Sequence, residues 1–98
     1  MRSIVYGNTF KKDYKKVNNY PSFKKNTFQY VVDKIVKGEK LDPKFKDHKM
    51  VASGVKYQGY RNCHIAPNIC MIYDFSEDSI TLIRIGSHSD LGLTESMV

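Results

Sequence analysis

The sequence predicts an α+β domain in which two helices of the N-terminal half pack on a mainly antiparallel four-stranded sheet. Apolar residues recur at helical spacing between residues 8 and 37, and short β-rich runs separated by turn residues fill the chain after residue 55. The expected order is therefore β-α-α-β-β-β, with both helices on one face of the sheet. Because 98 residues can bury only one substantial core, we expect a single domain over residues 1–98.

The N-terminal half carries one predicted strand and both predicted helices. Residues 3–6 are β-rich and predict the first strand. Asn8 is placed to cap the first helix, whose apolar stripe is Phe10, Tyr14 and Val17. Pro21 suits the first turn of the second helix, because its missing amide costs little there. The apolar stripe of that helix is Phe28, Val31, Val32, Ile35 and Val36. Gly38 is placed to end the helix in a left-handed conformation.

The C-terminal half is predicted to form the rest of the sheet. Three strands are expected at about residues 55–65, 69–75 and 79–86, with turns at Pro67-Asn68 and at residues 76–78. The stretch from Leu41 to Gly54 lacks clear periodicity and is predicted to be a long connection. Long connections in compact domains often carry function.

Positive charge is concentrated in the first half of the chain. The formal net charge is +6, and residues 1–50 hold 13 Lys and Arg against 5 Asp and Glu. Such clustering favours a polyanionic partner, either nucleic acid or an acidic protein. It is equally compatible with lysines that only keep two surface helices solvated.

The remaining composition points to a cytoplasmic protein. Two cysteines are too few for the disulfide framework of a small secreted domain. The sequence has neither a signal-peptide-like apolar run nor an apolar segment approaching the roughly 18 residues of a membrane span. We therefore expect no membrane association.

Strand periodicity predicts which polar side chains can meet. Side chains alternate between the two faces of a strand, so His64 and its neighbour Cys63 should point to opposite faces. On the last strand, alternation predicts that four residues share a face: Leu82, Arg84, Gly86 and His88. If this face also bears His64, then His64, Arg84 and His88 line one concave surface. His48 could reach that surface from the long connection.

The same alternation argues against a zinc site built from Cys63, His64, Cys70 and His88. Adjacent residues of one strand cannot both face one ion, and the spacing matches no common zinc ligand pattern. We therefore expect no metal, and expect both cysteines to be small buried hydrophobic residues. Histidines are also more often hydrogen-bonded structural residues than catalysts, so frequency alone does not establish an active site.

Four segments together resemble a known family. In chain order they are Lys46-Asp47-His48, Gly59-Tyr60-Arg61-Asn62-Cys63-His64-Ile65-Ala66-Pro67-Asn68, Ile72-Tyr73 and Arg84-Ile85-Gly86-Ser87-His88. In this order and at these separations they resemble the YafQ branch of the RelE/ParE toxin superfamily. The resemblance is clearest from about residue 40 to residue 92, and the first 40 residues agree mainly in element order and length.

The resemblance implies the toxin of a type II toxin-antitoxin system. Such a toxin is a ribosome-dependent endoribonuclease that cuts mRNA in the ribosomal A site and so inhibits translation. The implied partners are the ribosome carrying mRNA and a cognate antitoxin that is small, acidic, DNA-binding and DinJ-like. Neither a metal nor a small-molecule cofactor is implied.

By position, the resemblance also implies site residues. The expected catalytic histidines are His48, His64 and His88, and Arg84 matches a basic residue near the scissile phosphate. Asn68 stands where this branch usually has an active-site aspartate. An amide can position a hydrogen bond but cannot act as a base, so Asn68 is expected in the site only in that role. Gly92 replaces an aromatic residue that lies four positions beyond the last histidine.

The implied reaction is attack of an RNA 2′-hydroxyl on the adjacent 3′-phosphate. It needs a base, an acid and positive charge. Histidine suits the first two near neutral pH, and we expect His48 and His64 to form the acid-base pair, with His88 as a phosphate binder or alternate acid. Arg84 should supply charge, assisted by Lys46, Lys49 or Arg61. The first helix should grip ribosomal RNA through Lys11, Lys12, Lys15 and Lys16.

Three alternatives remain open from the sequence. One is a non-catalytic basic module of the same fold that binds RNA or an acidic protein. Another is a ParE-like toxin directed at DNA gyrase, a branch that generally lacks the histidine set. The third is a small structural or interaction protein whose histidines are incidental.

Overall fold

A mixed five-stranded sheet organises the chain. The computed structural model describes residues 2–50, 57 and 59–93. Its elements in chain order are β1 (Ser3–Tyr6), α1 (Asn8–Val17), α2 (Lys25–Val36), a 3-10 turn (Pro43–Phe45), β2 (His48–Lys49), β3 (Arg61–Ala66), β4 (Ile69–Phe75), β5 (Ser79–Gly86) and α3 (His88–Leu91). The strand order is β1-β5-β4-β3-β2. β1 runs parallel to β5, and the other pairs are antiparallel.

The α+β class is confirmed, with two differences in the inventory of elements. The sheet has a fifth strand, because β2 forms inside the segment predicted to be a connection. β3 begins at Arg61 rather than near residue 55. Gly59 has φ 93°, a left-handed conformation that suits a turn and not a strand. Residues 55, 56 and 58 lie outside the described part of the chain.

The helix boundaries also differ in detail from the prediction. Gly7 occupies the cap position of α1, and Asn8 is its first helical residue. α2 begins at Lys25, because Pro21 lies in a turn closed by a 3.1 Å hydrogen bond from the Phe23 amide to the Tyr20 carbonyl. Gly38 follows the end of α2 with φ 73°, as predicted. No helix in the described ranges is long and apolar enough to cross a membrane.

The two faces of the sheet carry cores of unequal size. The larger core joins the apolar stripes of α1 and α2 to one sheet face, which contributes Cys63, Ile65, Ile69, Met71, Tyr73, Ile80, Leu82 and Ile85. The smaller core lies on the opposite face. It joins Cys70 and Ile72 of that face to Leu91 of α3 and to Met50, Tyr57 and Leu93 of the segments outside the strands. As predicted, both cysteines are buried and free, and the structure places them on opposite faces.

A bulge in β5 changes which side chains share a face. Ile72 pairs with Arg84 but Tyr73 pairs with Leu82, so Ile83 has no partner in the ladder. Leu82 is therefore fully buried in the larger core, whereas Ile83 packs against the smaller one. The prediction that Leu82 and Arg84 share a face is wrong, because strict alternation assumes an unbroken ladder.

This bulge predicts unequal costs for two neighbouring truncations. Leu82→Ala should lower the free energy of unfolding by about 2–5 kcal/mol, because it leaves a cavity in the larger core. Ile83→Ala should cost about 1 kcal/mol, because Ile83 is only half-buried. Urea denaturation with an unchanged slope would measure both changes. Equal losses, or a larger loss at Ile83, would contradict the bulge.

Candidate active site

His64 and His88 lie side by side on the sheet face opposite α1 and α2. His64 of β3 pairs with Cys70 of β4, which pairs with Gly86 of β5, so these three positions share a face. The ring centroids of His64 and His88 are 5.5 Å apart. The Cys70 Sγ lies 3.3 Å from Nε2 of His88. One ring nitrogen from each histidine and the Cys70 Sγ all lie within 4.8 Å of one another.

A tight turn into α3 positions His88. The prediction that His88 continues the last strand is wrong, because β5 ends at Gly86 and Ser87 caps a helix. The Asp90 amide donates to Ser87 Oγ (3.0 Å), and the Ser87 amide donates to Asp90 Oδ2 (3.1 Å). A Cβ on Gly86 would lie 2.9 Å from the Asp90 Cβ. The turn that brings His88 back over the sheet therefore requires glycine at position 86.

The Asp90 carboxylate also ties α3 to the N-terminal half. Tyr20 Oη donates to Asp90 Oδ2 at 2.6 Å, and Lys16 Nζ lies 2.9 Å from Oδ1. The hydrogen bond from Tyr20, with those from Lys16 and Ser87, holds the pKa of Asp90 well below its usual range against the opposing effect of burial. The same contact raises the pKa of Tyr20. One carboxylate thus fixes both the start of α3 and its distance from α1.

His48 reaches the site from β2. Its position in the ladder is opposite Asn62, two residues before His64 on the same face. Nδ1 of His48 lies 2.7 Å from the carbonyl oxygen of Lys46. A carbonyl only accepts, so Nδ1 carries the proton and Nε2 is left to act on a substrate. Lys46 has φ 49°, a strained conformation for a residue with a side chain, of the kind that clusters at functional sites.

Burial and positive charge shift the protonation of His64. Desolvation lowers its pKa, and the nearby charges of His88, Lys46 and His48 lower it further. The residue is 6% exposed, and its Nε2 is buried with no hydrogen-bond partner among the described residues. His64 is therefore a neutral imidazole near pH 7.

A cavity of about 430 Å³ opens beside His64, and its wall is formed by Thr27, Lys44, Phe45, Lys46, His64, Ile65, Ala66 and Pro67. It lies where β3 extends beyond the two-residue β2 and so has no strand beside it. Lys44 and Lys46 are exposed. An anionic group that entered the cavity would meet these two cations and His64 together.

Both predicted arginines are held by carboxylates. Arg84 shares the face of His64, as expected, but its Nε and Nη2 donate to Asp13 at 2.6 and 3.1 Å. Its Nη1 donates to the Tyr57 hydroxyl at 3.1 Å. Arg61 donates to Asp47 at 2.8 Å from the face opposite His64. The carboxylates raise the pKa of both guanidinium groups. Each arginine therefore has a structural partner in this state.

The predicted RNA-binding lysines occupy three places. Lys46 and Lys49 are exposed on either side of His48 in the chain, but Lys49 pairs with Arg61 and so points to the face opposite His64. Lys11, Lys12 and Lys15 are exposed along α1, and Lys16 is paired with Asp90 of α3. That ion pair brings the end of α1 next to the helix of His88. The basic surface of α1 and the histidine site are thus adjacent.

Comparison with known proteins decides the family. A model described as the bacterial toxin of a type II toxin-antitoxin system, YafQ, matches residues 2–93. The chain belongs to the YafQ toxin family.

Individual relatives agree with this family over nearly their full lengths. The mRNA interferase toxin YafQ of Escherichia coli (strain B / BL21-DE3) is 28% identical over 91 residues, which are 92% of this chain and 95% of that protein. A metal-bound toxin from Helicobacter pylori superposes with a TM-score of 0.80 at 32% identity, covering 93% of this chain and 99% of that one. The E. coli DinJ–YafQ complex gives 0.75 at 28% identity, covering 93% and 98%. The fold class and the resemblance to YafQ are confirmed.

Two positions where this YafQ-family chain departs from the expected pattern have local structural roles. Oδ1 of Asn68 accepts a hydrogen bond from Ser22 Oγ at 2.9 Å, which ties the β3–β4 turn to the segment before α2. Gly92 ends α3 with φ 70°, a conformation that an aromatic residue adopts only with strain. Within the described residues, the Asn68 side chain is therefore hydrogen-bonded to Ser22 and not to the histidine cluster.

Sequence reasoning missed several residues of this region. Cys70 is a buried core residue, as predicted, but the sequence does not indicate that it shares the face of both histidines through its pairing with His64. Lys44 was not singled out, although Asp42-Pro43 before it is a turn signal that brings the chain against β3. The links from Asp90 to Tyr20 and Lys16 span about 70 residues. Only the Ser-x-x-Asp spacing of Ser87 and Asp90 indicated a cap.

The role of Asp90 predicts a pH-dependent loss of stability in Asp90→Asn. At pH 7 the variant should lose about 1–3 kcal/mol of unfolding free energy, because charge-assisted hydrogen bonds to Tyr20, Lys16 and Ser87 weaken. A depressed pKa in the folded state contributes stability above about pH 4 that disappears as pH falls below it. Urea denaturation from pH 7 to pH 2 should therefore show the difference from wild type shrinking in acid. A difference independent of pH would contradict this assignment.

Proposed function

We propose that this YafQ-family toxin is a ribosome-dependent endoribonuclease that cleaves mRNA and is restrained by a small acidic antitoxin. The observation that carries the proposal is that His64 and His88 lie side by side. His48 pairs with Asn62, two residues before His64 on the same strand. The exposed Lys44 and Lys46 line the cavity next to His64. The name of the E. coli relative, mRNA interferase, supports the same activity. The histidine set also disfavours a gyrase-directed or purely structural role.

The proposed chemistry uses the RNA itself as the nucleophile. A base removes the 2′-hydroxyl proton, the 2′-oxygen attacks the adjacent phosphorus, and an acid protonates the departing 5′-oxygen. The products are a 2′,3′-cyclic phosphate and a free 5′-hydroxyl. Positive charge stabilises the crowded phosphate, so imidazoles and lysines are sufficient and the reaction requires no metal.

The environments of the three histidines suit different steps. His64 has a lowered pKa and is neutral, as a base must be. His48 has a less buried ring, and in its imidazolium form it would donate the Nε2 proton, as the acid must, while Nδ1–H stays bonded to the Lys46 carbonyl. His88, in contact with His64, would bind the phosphate or serve as an alternate acid. Lys44 and Lys46 would supply the charge, because Arg84 is engaged by Asp13.

Two macromolecular partners follow from the charge distribution. The exposed lysines of α1 and those beside His48 would bind ribosomal RNA and mRNA through phosphates, and such binding weakens as salt is raised. An acidic antitoxin would compete for the same cations. The likeness to the DinJ–YafQ complex supports a DinJ-like antitoxin. In this proposal the chain acts in the cytoplasm, where translating ribosomes are found.

Removing each histidine should abolish growth arrest. His48→Ala, His64→Ala and His88→Ala should each slow ribosome-dependent mRNA cleavage by about 10²–10⁴-fold, the usual contribution of a general acid or base. Primer extension on programmed ribosomes would measure the cleavage, and circular dichroism and antitoxin binding would confirm the fold.

Lys37→Ala is the matched control for these variants. Lys37 is exposed at the end of α2. The Val36 carbonyl before it accepts a hydrogen bond from the Arg2 amide, which lies near the start of β5. The histidine site lies near Gly86, at the other end of that strand. This variant should remain as toxic as the parent. If all three histidine variants also remain as toxic as the parent, the catalytic assignment is wrong.

The nature of the product ends tests the nucleophile. A 2′-deoxynucleotide placed 5′ of the scissile phosphate should prevent cleavage at that bond, because the attacking hydroxyl is absent. The downstream fragment should accept a label from polynucleotide kinase without prior phosphatase treatment, since it carries a 5′-hydroxyl. A 5′-phosphate on that fragment, or normal cleavage of the deoxy substrate, would exclude this mechanism.

A further inference from the structure

Cys70 stands between the two histidines, and the proposed nuclease chemistry does not use it. Its Sγ lies 3.3 Å from the His88 Nε2, and it pairs directly with His64 across the ladder. The side chain is fully buried, and burial raises the pKa of its thiol to about 11.

We propose that Cys70, His64 and His88 form a Zn²⁺ site with an open fourth position, and that Zn²⁺ bound there inhibits the toxin. The donor set of one sulfur and two imidazole nitrogens is the set that zinc prefers. Binding exchanges the S–H bond of Cys70 for a Zn–S bond and releases the proton to water. The ion is an inhibitor and not a participant in the reaction.

The distances fit this ion. Tetrahedral zinc with Zn–S of about 2.3 Å and Zn–N of about 2.05 Å places its ligand atoms roughly 3.4–3.6 Å apart. The observed separation of 3.3 Å between Sγ and Nε2 of His88 is already close to that value. All three donors lie within 4.8 Å of one another, so a small adjustment of the imidazole rings would complete the site.

An unsatisfied ring nitrogen gives an independent indication of a ligand. Nε2 of His64 is buried without a hydrogen-bond partner in the described ranges. Leaving a buried polar group unpaired is unfavourable. A metal ion bound at this nitrogen would provide the missing partner.

Zn²⁺ could reach this site from solvent, and once bound it would occupy both imidazoles. His64 borders the 430 Å³ cavity that opens to solvent. Zinc needs the lone pairs of both imidazoles, so the metal-bound site could neither accept the 2′-proton at His64 nor bind phosphate through His88. This consequence rests on the proposed function, whereas the metal site itself does not.

Cobalt spectroscopy tests the site without reference to activity. Titration of the metal-free full chain with Co²⁺ should give the intense visible bands of tetrahedral coordination and a thiolate-to-cobalt charge-transfer band, both abolished by Zn²⁺. Cys70→Ala should lose the charge-transfer band, and His88→Ala should weaken Co²⁺ binding at least tenfold. Cys63→Ala is the matched control, because Cys63 lies in the larger core on the other face and should keep the band.

Several outcomes would overturn the site. The wild-type chain would show no tetrahedral Co²⁺ bands if no such site exists. A charge-transfer band that survives in Cys70→Ala would show that Cys70 is not a ligand. Equal loss of the band in Cys63→Ala would show that the effect is not specific to Cys70. If Cys70→Ala does not fold by circular dichroism, Cys70→Ser takes its place, since it keeps the size of the side chain but is a poor zinc ligand. Loss of the band in folded Cys70→Ser then supports the site, and its retention contradicts it.

Inhibition is measured separately. Zn²⁺ should suppress mRNA cleavage on programmed ribosomes by the wild-type chain, and Cys70→Ala should require at least tenfold more Zn²⁺ for the same effect. Equal sensitivity of the two proteins would overturn the inhibitory role. A chain that shows the cobalt bands but no cleavage without metal would contradict the proposed nuclease function and leave the metal site intact.

Discussion

The geometry of the histidine site depends on the Asp90 carboxylate. It caps α3 through the Ser87 amide, and it binds Tyr20 and Lys16 from the N-terminal half. α3 has only four residues, too few to be stable as an isolated helix in water. The orientation of His88 toward His64 therefore derives from these contacts and from the glycine turn at Gly86, which leaves space for the Asp90 side chain.

Carboxylates also decide which cations remain available at the site. Asp13 engages Arg84 and Asp47 engages Arg61, each through two guanidinium nitrogens. Arginine suits such paired contacts because its planar fork matches a carboxylate. The exposed lysines of the 3-10 turn and β2 have no carboxylate partner among the described residues. Arg61 and Arg84 therefore have structural roles, and the exposed lysines of this region supply accessible positive charge.

The site occupies the thinly covered face of the sheet. The larger core, between the sheet and the helices α1 and α2, is filled mainly with apolar side chains. Among the described residues, the opposite face is covered by α3 and a few residues outside the helices and strands. Polar side chains on that face can therefore be partly desolvated while still reaching solvent. This balance lowers the pKa of His64 and leaves it beside an open cavity. It also places the Cys70 Sγ within 4.8 Å of a ring nitrogen of each of two histidines.

Local patterns in the sequence determined the architecture. The helical stripe of α2, the strands at residues 69–75 and 79–86, and the opposite orientations of Cys63 and His64 all depend on periodicities of 3.6 or 2 residues, which follow from backbone geometry. Strand alternation predicted that His64, Arg84 and His88 line one surface, and the family resemblance added the expectation that they act with His48 in catalysis. The partners of Arg84 and Asp90 lie about 70 residues away in the chain, and no local pattern encodes them. Only the tertiary structure decided that a bulge moves Leu82 into the core, that Arg84 is held by Asp13, and that a capped turn places His88 beside Cys70. Each of these depends on packing between segments that are distant in the chain. There the extra residue of a bulge, or a partly buried carboxylate, changes the arrangement that strand alternation alone predicts.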